Sequence, residues 1–340
     1  ESEKKGKISK RNYLDFLKDF LPDDFKEQEE DVIFTGRSQK ITDAKVLGFC
    51  ESLDLHVLEM SHGYENDPRV TITTDAFKIL ADLWMHKALV IVKNNDSENY
   101  RLSYLTISLD LNDRNQAVKR YSNARRYSFY LGKNAKIKTP EQQLIKKGKI
   151  KDANDLLSRF SVEVVNKQFY LEVAKHFDEL VSGADKELVL PSVSQEDINA
   201  RKSFAVRLIG RLMFCWFLKQ KKSESGQLIS DELLSSRAVS NNYYHSIIEP
   251  LFFEALNTSV ENRDIRSDLF DKVPYLNGGL FNPQVDDHYE FDRGIFVSKY
   301  INTLVINDRW FKDFFELLEL YNFTIDENTI FDQELSVDPE

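Results

Sequence analysis

The sequence contains 340 residues, which is more than a single hydrophobic core usually supports, so we expect two domains. Its 41% hydrophobic and 30% charged residues are typical of globular proteins and exclude an intrinsically disordered chain. The formal net charge of -10 excludes a uniformly basic protein, but residues 119–151 contain eleven Lys or Arg and one acid, a local charge of +10 that by subtraction leaves -20 elsewhere.

The first half of the chain mixes helical and extended patterns. The predicted elements, in chain order, are a helix that ends before Pro22, an acidic linker (Asp23–Asp31), a hairpin (Lys45–Glu51 and Leu55–Ser61), a helix (Thr74–His86) and two strands (Ala88–Val92 and Tyr100–Leu109). This order predicts an α/β domain over residues 1–160, which includes the basic segment 119–151.

The second half of the chain, residues 161–340, carries mainly helical patterns. The spacing of apolar residues predicts a helix over Ser161–Leu180, which is followed by a linker at Leu188–Gln195. Further helices are predicted over Glu196–Lys222, Asp231–Ser235, Tyr243–Asn257 and Arg309–Tyr321. The whole chain is therefore predicted to be α+β, with an α/β domain followed by a mainly helical connector domain.

The sequence carries no signal for export or membrane insertion. Glu1–Lys10 is charged and has no apolar core of a signal peptide, and the longest apolar run, Leu208–Leu218, is too short to span a bilayer. The two cysteines, Cys50 and Cys215, lie in separate apolar stretches, as expected of core thiols in a reducing compartment. We expect a soluble cytoplasmic protein with no membrane partner.

Carboxylates on the predicted hairpin form the first candidate site. Divalent-metal nucleases place an acid on one strand and Glu-x-Lys on the next, so that two carboxylates hold Mg²⁺ and the lysine orients water. Here Glu59 is the second acid, and Asp43 or Glu51 is the first. Ser61 occupies the lysine position, so Lys78 on the following helix is the candidate ammonium. The alternative is that Glu59 is an edge-strand acid that pairs with a nearby base.

The basic segment is the second candidate site. It interleaves cations with aromatic rings, a mixture suited to contacting phosphates and stacking on bases. The expected DNA-binding residues are Lys119, Arg120, Arg125, Arg126, Lys136, Lys138, Lys146 and Lys147. The alternatives are a solvated basic face, or a partner for the acidic segments of the same chain. In addition, Asn123–Gly132 carries enough apolar side chains to be a packed strand.

Arg207 and Arg211 lie one helical turn apart in an apolar helix, so each needs a partner. We favour an internal carboxylate over a phosphate or a neighbouring domain. The sequence contains no P-loop, no Gly-x-Ser-x-Gly and no glycine-rich loop for a dinucleotide or adenosyl cofactor, so we expect no such cofactor to bind to this segment.

Several stretches, taken in order, resemble the N-terminal region of large bacterial adenine-specific DNA methyltransferases, of the kind found in single-chain type IIG restriction-modification enzymes and related phage-defence systems. The matching stretches are Asn123–Gly132, Thr139-Pro140, Arg159–Val165, Arg207–Leu218, Val273–Phe281, Leu320–Thr324 and Val337–Glu340. The resemblance covers the chain from about Lys45 to its end.

The resemblance implies a nuclease-like fold of the PD-(D/E)xK type in front and a methyltransferase domain that follows in the same chain. That following domain would bind S-adenosylmethionine and the flipped adenine. The adenosylmethionine-binding loop and the Asn-Pro-Pro-Tyr site for the flipped adenine are both absent from this sequence. Asn282-Pro283 is followed by Gln284 and is not that site. The expected partner is double-stranded DNA, and the rival hypothesis is an inactive scaffold that positions a methyltransferase or another defence protein.

Overall fold

The structure is a computed structural model, and the described residues form two compact units, one within Glu1–Lys167 and one within Gln168–Ile325. The residues that it describes are 10–33, 40–63, 69–94, 99–111, 117–121, 128–132, 135–136, 138–182, 187–191, 197–220, 222–223, 226–263, 268–276, 279–290 and 298–321.

The first unit is built from a mixed sheet and helices. Its elements are α1 (Lys10–Phe20), β1 (Phe25–Asp31), β2 (Ile41–Cys50), β3 (Leu55–His62), α2 (Arg69–Asp82), β4 (Lys87–Asn94), β5 (Tyr100–Leu111), β6 (Ala117–Tyr121), β7 (Ser128–Leu131), α3 (Lys138–Pro140), which continues as a π-helical turn (Glu141–Lys146), and α4 (Ala153–Arg159). The predicted first helix, hairpin and following strands are confirmed. The second helix begins five residues earlier than predicted.

The strands form one sheet in the order β1-β2-β3-β4-β5-β6, and β7 also pairs with β5. β3 and β4 run parallel, and the other neighbouring pairs are antiparallel. Because parallel strands need a crossover connection, α2 leads from β3 to β4 and covers one face of the sheet. Leu58, Met60, Val90 and Leu105 pack on that face with Phe77 of α2.

The opposite face of the sheet carries the alternate residues of the same strands, because side chains alternate across a strand. Rings cover part of this face: Phe160 contacts Tyr104 and Phe129, with ring centroids 6.0 and 5.1 Å apart. From α1, Tyr13 reaches the same face through a hydrogen bond to Glu59.

The predicted acidic linker Asp23–Asp31 is wrong, because Phe25–Asp31 is strand β1. Its sequence contains mostly charged residues and lies exposed at the edge of the sheet, where charge opposes edge-to-edge aggregation. A β-carbon at Gly48 of β2 would clash with the backbone of β1 at Lys26. A glycine inside an apolar strand can indicate that another backbone approaches closely, so Gly48 is a feature of the sequence from which β1 could have been inferred.

The second unit is mainly helical. Its elements are the greater part of α5 (Val162–Ser182), β8 (Leu188–Val189), α6 (Ile198–Gln220), β9 (Lys222–Ser223), β10 (Gly226–Gln227), π-helical turns (Tyr244–Ile248 and Leu251–Ala255), 3₁₀ turns (Val260–Asn262, Asp268–Phe270, Gly279–Phe281 and Val285–Asp287), β11 (Val305–Ile306) and α7 (Asp308–Leu320). The predicted helices at α5, α6 and α7 are confirmed.

Two details of the second half differ from the sequence prediction. Asp231–Ser235 forms turns instead of a helix, and Leu188–Val189 of the predicted linker pairs with Val305–Ile306 as a small antiparallel sheet. Asp231–Ser235 is five residues long, too short to form a stable helix without packing of its own. The core of this unit is aromatic, with Trp216 stacked on Phe315 at 5.8 Å.

Candidate functional site

Two rows of residues cross the sheet on the face opposite α2, where paired residues of neighbouring strands share a face. One row runs through Asp31, Lys45, Glu59, Ile91 and Leu102. The adjacent row runs through Asp43, Ser61, Lys93 and Tyr100. The strand register thus places the predicted acids Asp43 and Glu59 on one face, as diagonal neighbours on β2 and β3.

Glu59 is a buried carboxylate whose two oxygens both have donors. The residue is 6% exposed. Its Oε1 accepts a hydrogen bond from Lys93 Nζ at 2.6 Å, and its Oε2 accepts one from the hydroxyl of Tyr13. A buried carboxylate needs such partners because its desolvation is costly. The hydrogen bonds from Lys93 and Tyr13 therefore fix the orientation of the Glu59 carboxylate on the sheet.

Lys93 brings an ammonium to Glu59, although Ser61 occupies the lysine position of the predicted Glu-x-Lys pattern. In the parallel register of β3 and β4, Lys93 lies directly beside Ser61, on the neighbouring strand. Sequence reasoning missed Lys93 because the spacing of Glu-x-Lys is local to one strand, whereas this contact depends on strand pairing. The ion pair is also consistent with the alternative prediction that Glu59 is an acid paired with a nearby base. That prediction placed Glu59 on an edge strand, whereas β3 is an inner strand of the sheet.

Lys78 and Glu51 lie away from this network. Lys78 belongs to α2, on the other face of the sheet, and pairs with Asp75 at 3.1 Å. Glu51 follows β2 in the hairpin turn, where its nearest oxygen is 3.9 Å from Lys26 Nζ. Lys45 is the residue of β2 that lies opposite Glu59 in the strand register. Glu51 is six residues beyond Lys45, which corresponds to roughly 20 Å along a strand. The structure does not bring either residue to Glu59.

The strand register places two of the predicted metal ligands, Asp43 and Glu59, on one face of the sheet. Among the described residues, no three His, Cys, Asp or Glu side chains are grouped to hold a metal ion. Mg²⁺ often takes only one or two carboxylates and completes its coordination with water and substrate phosphates, which is the mode in which Asp43 and Glu59 would have to hold it. Asp43 is exposed, but the cation would have to replace the Tyr13 hydroxyl at Glu59.

An apolar cavity of about 180 Å³ adjoins the network on the same face. Its lining includes Tyr13, Phe16, Ile91, Tyr100 and Leu144. Burial raises the pKa of the Tyr100 phenol, so that side chain stays neutral. Tyr13 both lines this cavity and donates a hydrogen bond to Glu59.

The structure describes six of the eight cationic residues expected to contact DNA. Lys119 and Arg120 are exposed on the edge strand β6, and Lys136 is exposed after β7. The others lie on α3 and the turn that continues it: Lys138 is partly buried, Lys146 pairs with Glu141 at 3.0 Å, and Lys147 donates to Gln143 at 2.6 Å. Arg125 and Arg126 lie outside the described residues.

The arginines of α6 have an internal partner, as predicted. Asp287 lies 2.9 Å from Arg211 Nη2 and 3.0 Å from Arg207 Nε. Burial alone would raise the pKa of Asp287, but the hydrogen bonds from Arg211 and from the backbone N–H of Gln284 hold it below its ordinary value. This cluster is accordingly a structural link between α6 and the segment 279–290.

A comparison with curated proteins finds similarity to a restriction-modification protein. The chain is 33% identical over 140 residues to the "Putative type II restriction enzyme and methyltransferase RM.MjaORFECS2P" of Methanocaldococcus jannaschii. The match covers 40% of this chain and 11% of the relative, so the chain corresponds to a small part of that protein. No family model and no solved structure matches the chain.

Among the residues that the structure describes, no helix is long and apolar enough to cross a membrane.

Proposed function

We propose that this chain is the DNA-contacting, nuclease-like and connector part of a restriction-modification DNA adenine methyltransferase. Residues 1–160 would form a nuclease-like domain of the PD-(D/E)xK type, and residues 161–340 a connector to a C-terminal methyltransferase domain of the same protein. That domain would bind S-adenosylmethionine and methylate adenine at its N6 position, in the type IIG manner of a cytoplasmic phage-defence enzyme. The similarity to a restriction enzyme and methyltransferase supports this proposal.

The observation that carries the nuclease-like part is the Glu59–Lys93 pair with Asp43 on the same face of the sheet. Asp43 and Glu59 would hold Mg²⁺ together with a DNA phosphate. Lys93 would orient the attacking water, since its side chain is 39% exposed and its ammonium contacts the same carboxylate. Mg²⁺, when bound, would polarise the phosphate and lower the pKa of water.

The test is cleavage of plasmid DNA by the purified chain with Mg²⁺ or Mn²⁺. We expect Glu59→Gln and Lys93→Met each to reduce cleavage by about 100-fold or more. Glu59→Gln removes the proposed metal ligand, and Lys93→Met removes the ammonium beside it. Glu51→Gln and Lys78→Met are the matched controls, because they make the same chemical changes away from the network. Cleavage that survives in Glu59→Gln, or fails equally in the controls, would contradict the proposed site.

The second candidate function is a scaffold without nuclease activity, and one observation favours it. Both oxygens of Glu59 already have donors from within the fold, Lys93 and Tyr13, so the network is complete without a metal. The plasmid experiment separates the two candidates. Intact DNA under all metal conditions, together with retained DNA binding, would favour the scaffold.

A further inference from the structure

Trp84 has an unusual position at the end of α2. Its φ is +58°, in the left-handed region, and its side chain is 80% exposed. The N–H of Trp84 donates to the carbonyl of Ala81 and that of Met85 to the carbonyl of Leu80, which is the hydrogen-bond pattern of a Schellman cap. Glycine is the usual residue at this place in the cap, because a side chain is strained there.

The other two tryptophans of the chain follow the ordinary pattern. Trp216 is 2% exposed and Trp310 is 3% exposed, both in the core of the second unit. Burying an indole is strongly favourable, and left-handed backbone is unfavourable for a bulky residue. Trp84 therefore forgoes burial at a place where glycine would suit the backbone better. A strained and exposed aromatic residue of this kind motivates a search for what contacts it.

The neighbours of Trp84 come from the edge strand β6. Lys119 Nζ lies 5.8 Å from the centroid of the Trp84 ring. Tyr121, on the same face of β6, is 45% exposed, and its ring centroid is 5.0 Å from that of Phe77 in α2. Trp84, Lys119 and Tyr121 thus combine two exposed rings with a cation, and we call this set the β6 platform.

From this geometry we infer that the β6 platform binds an unpaired stretch of a nucleic acid strand, with a base stacked on Trp84. Stacking on an aromatic ring requires the face of a base, which is free in a single strand or a flipped nucleotide and is covered inside a duplex. The adjacent lysine matches the charge of the phosphates between such bases. The choice of a nucleic acid as partner rests on the proposed function.

The distribution of charge favours a nucleic acid over an apolar protein surface. Lys119 lies against one of the two rings, on the same face of β6 as Tyr121. Protein docking sites are depleted of lysine at their centre, whereas single-strand binding surfaces interleave aromatic rings with cations. Self-association through Trp84 is consequently an outcome of the test and not the inference.

The test compares a fluorescein-labelled 15-nucleotide oligothymidylate with a blunt duplex of equal length, by anisotropy at low salt with the full 340-residue chain. Trp84→Gly removes the ring and suits the left-handed backbone, so its folding is not at risk. We expect this variant to bind the oligothymidylate roughly 5- to 100-fold more weakly, as stacking one base contributes about that much. Duplex affinity should stay within about twofold, and Trp84→Phe should restore part of the loss.

A second readout uses the fluorescence of the wild-type chain. Because Trp216 and Trp310 are buried, iodide quenches mainly Trp84, and oligothymidylate should quench the same emission and protect it from iodide. A matched control is Tyr170→Ala, which removes another exposed ring, 42% exposed, from α5.

The outcomes separate the inference from the proposed function. Unchanged oligothymidylate affinity in Trp84→Gly, equal losses for both DNAs, or protection of Trp84 by self-association without DNA would each overturn the inference. If the wild-type chain binds the duplex but not the oligothymidylate, the inference fails and the proposed DNA contact stands. If it binds only the oligothymidylate through Trp84, the inference stands and duplex contact through the basic segment fails.

Discussion

Replacing Lys93 by Met should destabilise the first unit, and the size of the effect follows from the exposure of the two partners. The side chain of Glu59 is 7% exposed and that of Lys93 is 39% exposed. Breaking a fully buried pair costs about 3–5 kcal/mol, whereas exposed pairs contribute about 0–1 kcal/mol. Because Lys93 reaches water and Glu59 does not, we expect an intermediate loss of about 1–2 kcal/mol for Lys93→Met.

The same exposures predict an asymmetry between the two partners. After Lys93→Met, Glu59 keeps only the hydroxyl of Tyr13 as a donor and cannot turn to solvent. After Glu59→Gln, the ammonium of Lys93 can turn to solvent, so the loss should stay below about 1 kcal/mol. The double variant should then show a coupling of about 1 kcal/mol in a double-mutant cycle.

The assay is native-state hydrogen exchange of peptides from β3 and β4, because a global unfolding curve would mix the two units. Lys87→Met is the matched control: it lies on the same strand, but its partner Asp54 is 67% exposed at 3.9 Å. We expect the control to change the opening free energy by less than about 0.5 kcal/mol. A coupling below about 0.3 kcal/mol, or a larger loss in Glu59→Gln than in Lys93→Met, would refute the reasoning.

Two further predictions concern the basic segment and the second unit. Arg120→Ala combined with Lys146→Ala should reduce the slope of log affinity for duplex DNA against log salt concentration by about 2, since each phosphate contact contributes about 0.9. The control is Lys175→Ala with Lys202→Ala, and the same slope in both double variants would contradict DNA contact. Because the pKa of Asp287 is lowered by folding, its stabilisation is present above the unfolded pKa of about 4 and is lost as pH falls below it. Asp287→Asn should thus lower stability by about 3 kcal/mol or more at pH 7 and flatten its decline from pH 5 to 3, measured by fluorescence of the buried tryptophans.

The spacing of apolar residues predicted much of the fold, because helices and hairpins depend mainly on residues that are close together in the sequence. The amphipathic spacing before Pro22 and the β-rich runs around Ser52 were sufficient for α1 and the β2-β3 hairpin. Strand β1 was missed because its charged residues carry no apolar alternation, and only its pairing with β2 makes it a strand. The internal partner of Arg211 could be expected as a type, but Asp287 could not be named from the sequence.

Lys93 shows why the candidate site was only half predictable. Glu-x-Lys is a rule about two residues of one strand, but its chemistry requires only that an ammonium lie beside the carboxylate. Neighbouring strands are about 4.8 Å apart, a gap that a lysine side chain crosses easily, so a lysine beside Ser61 on β4 can replace one at Ser61 itself. Under the proposed function, the serine does not argue against cleavage, because Lys93 places an ammonium 2.6 Å from Glu59.

The stronger obstacle to metal binding is Tyr13, which no motif at the hairpin would indicate. Its hydroxyl donates to the Glu59 oxygen that a cation would need, and it belongs to α1, more than 40 residues earlier in the chain. If cleavage occurs, α1 must yield this hydrogen bond, and a neutral donor costs far less to displace than a second cation would. The question of activity thus moves from the composition of the hairpin to the packing of α1 against it.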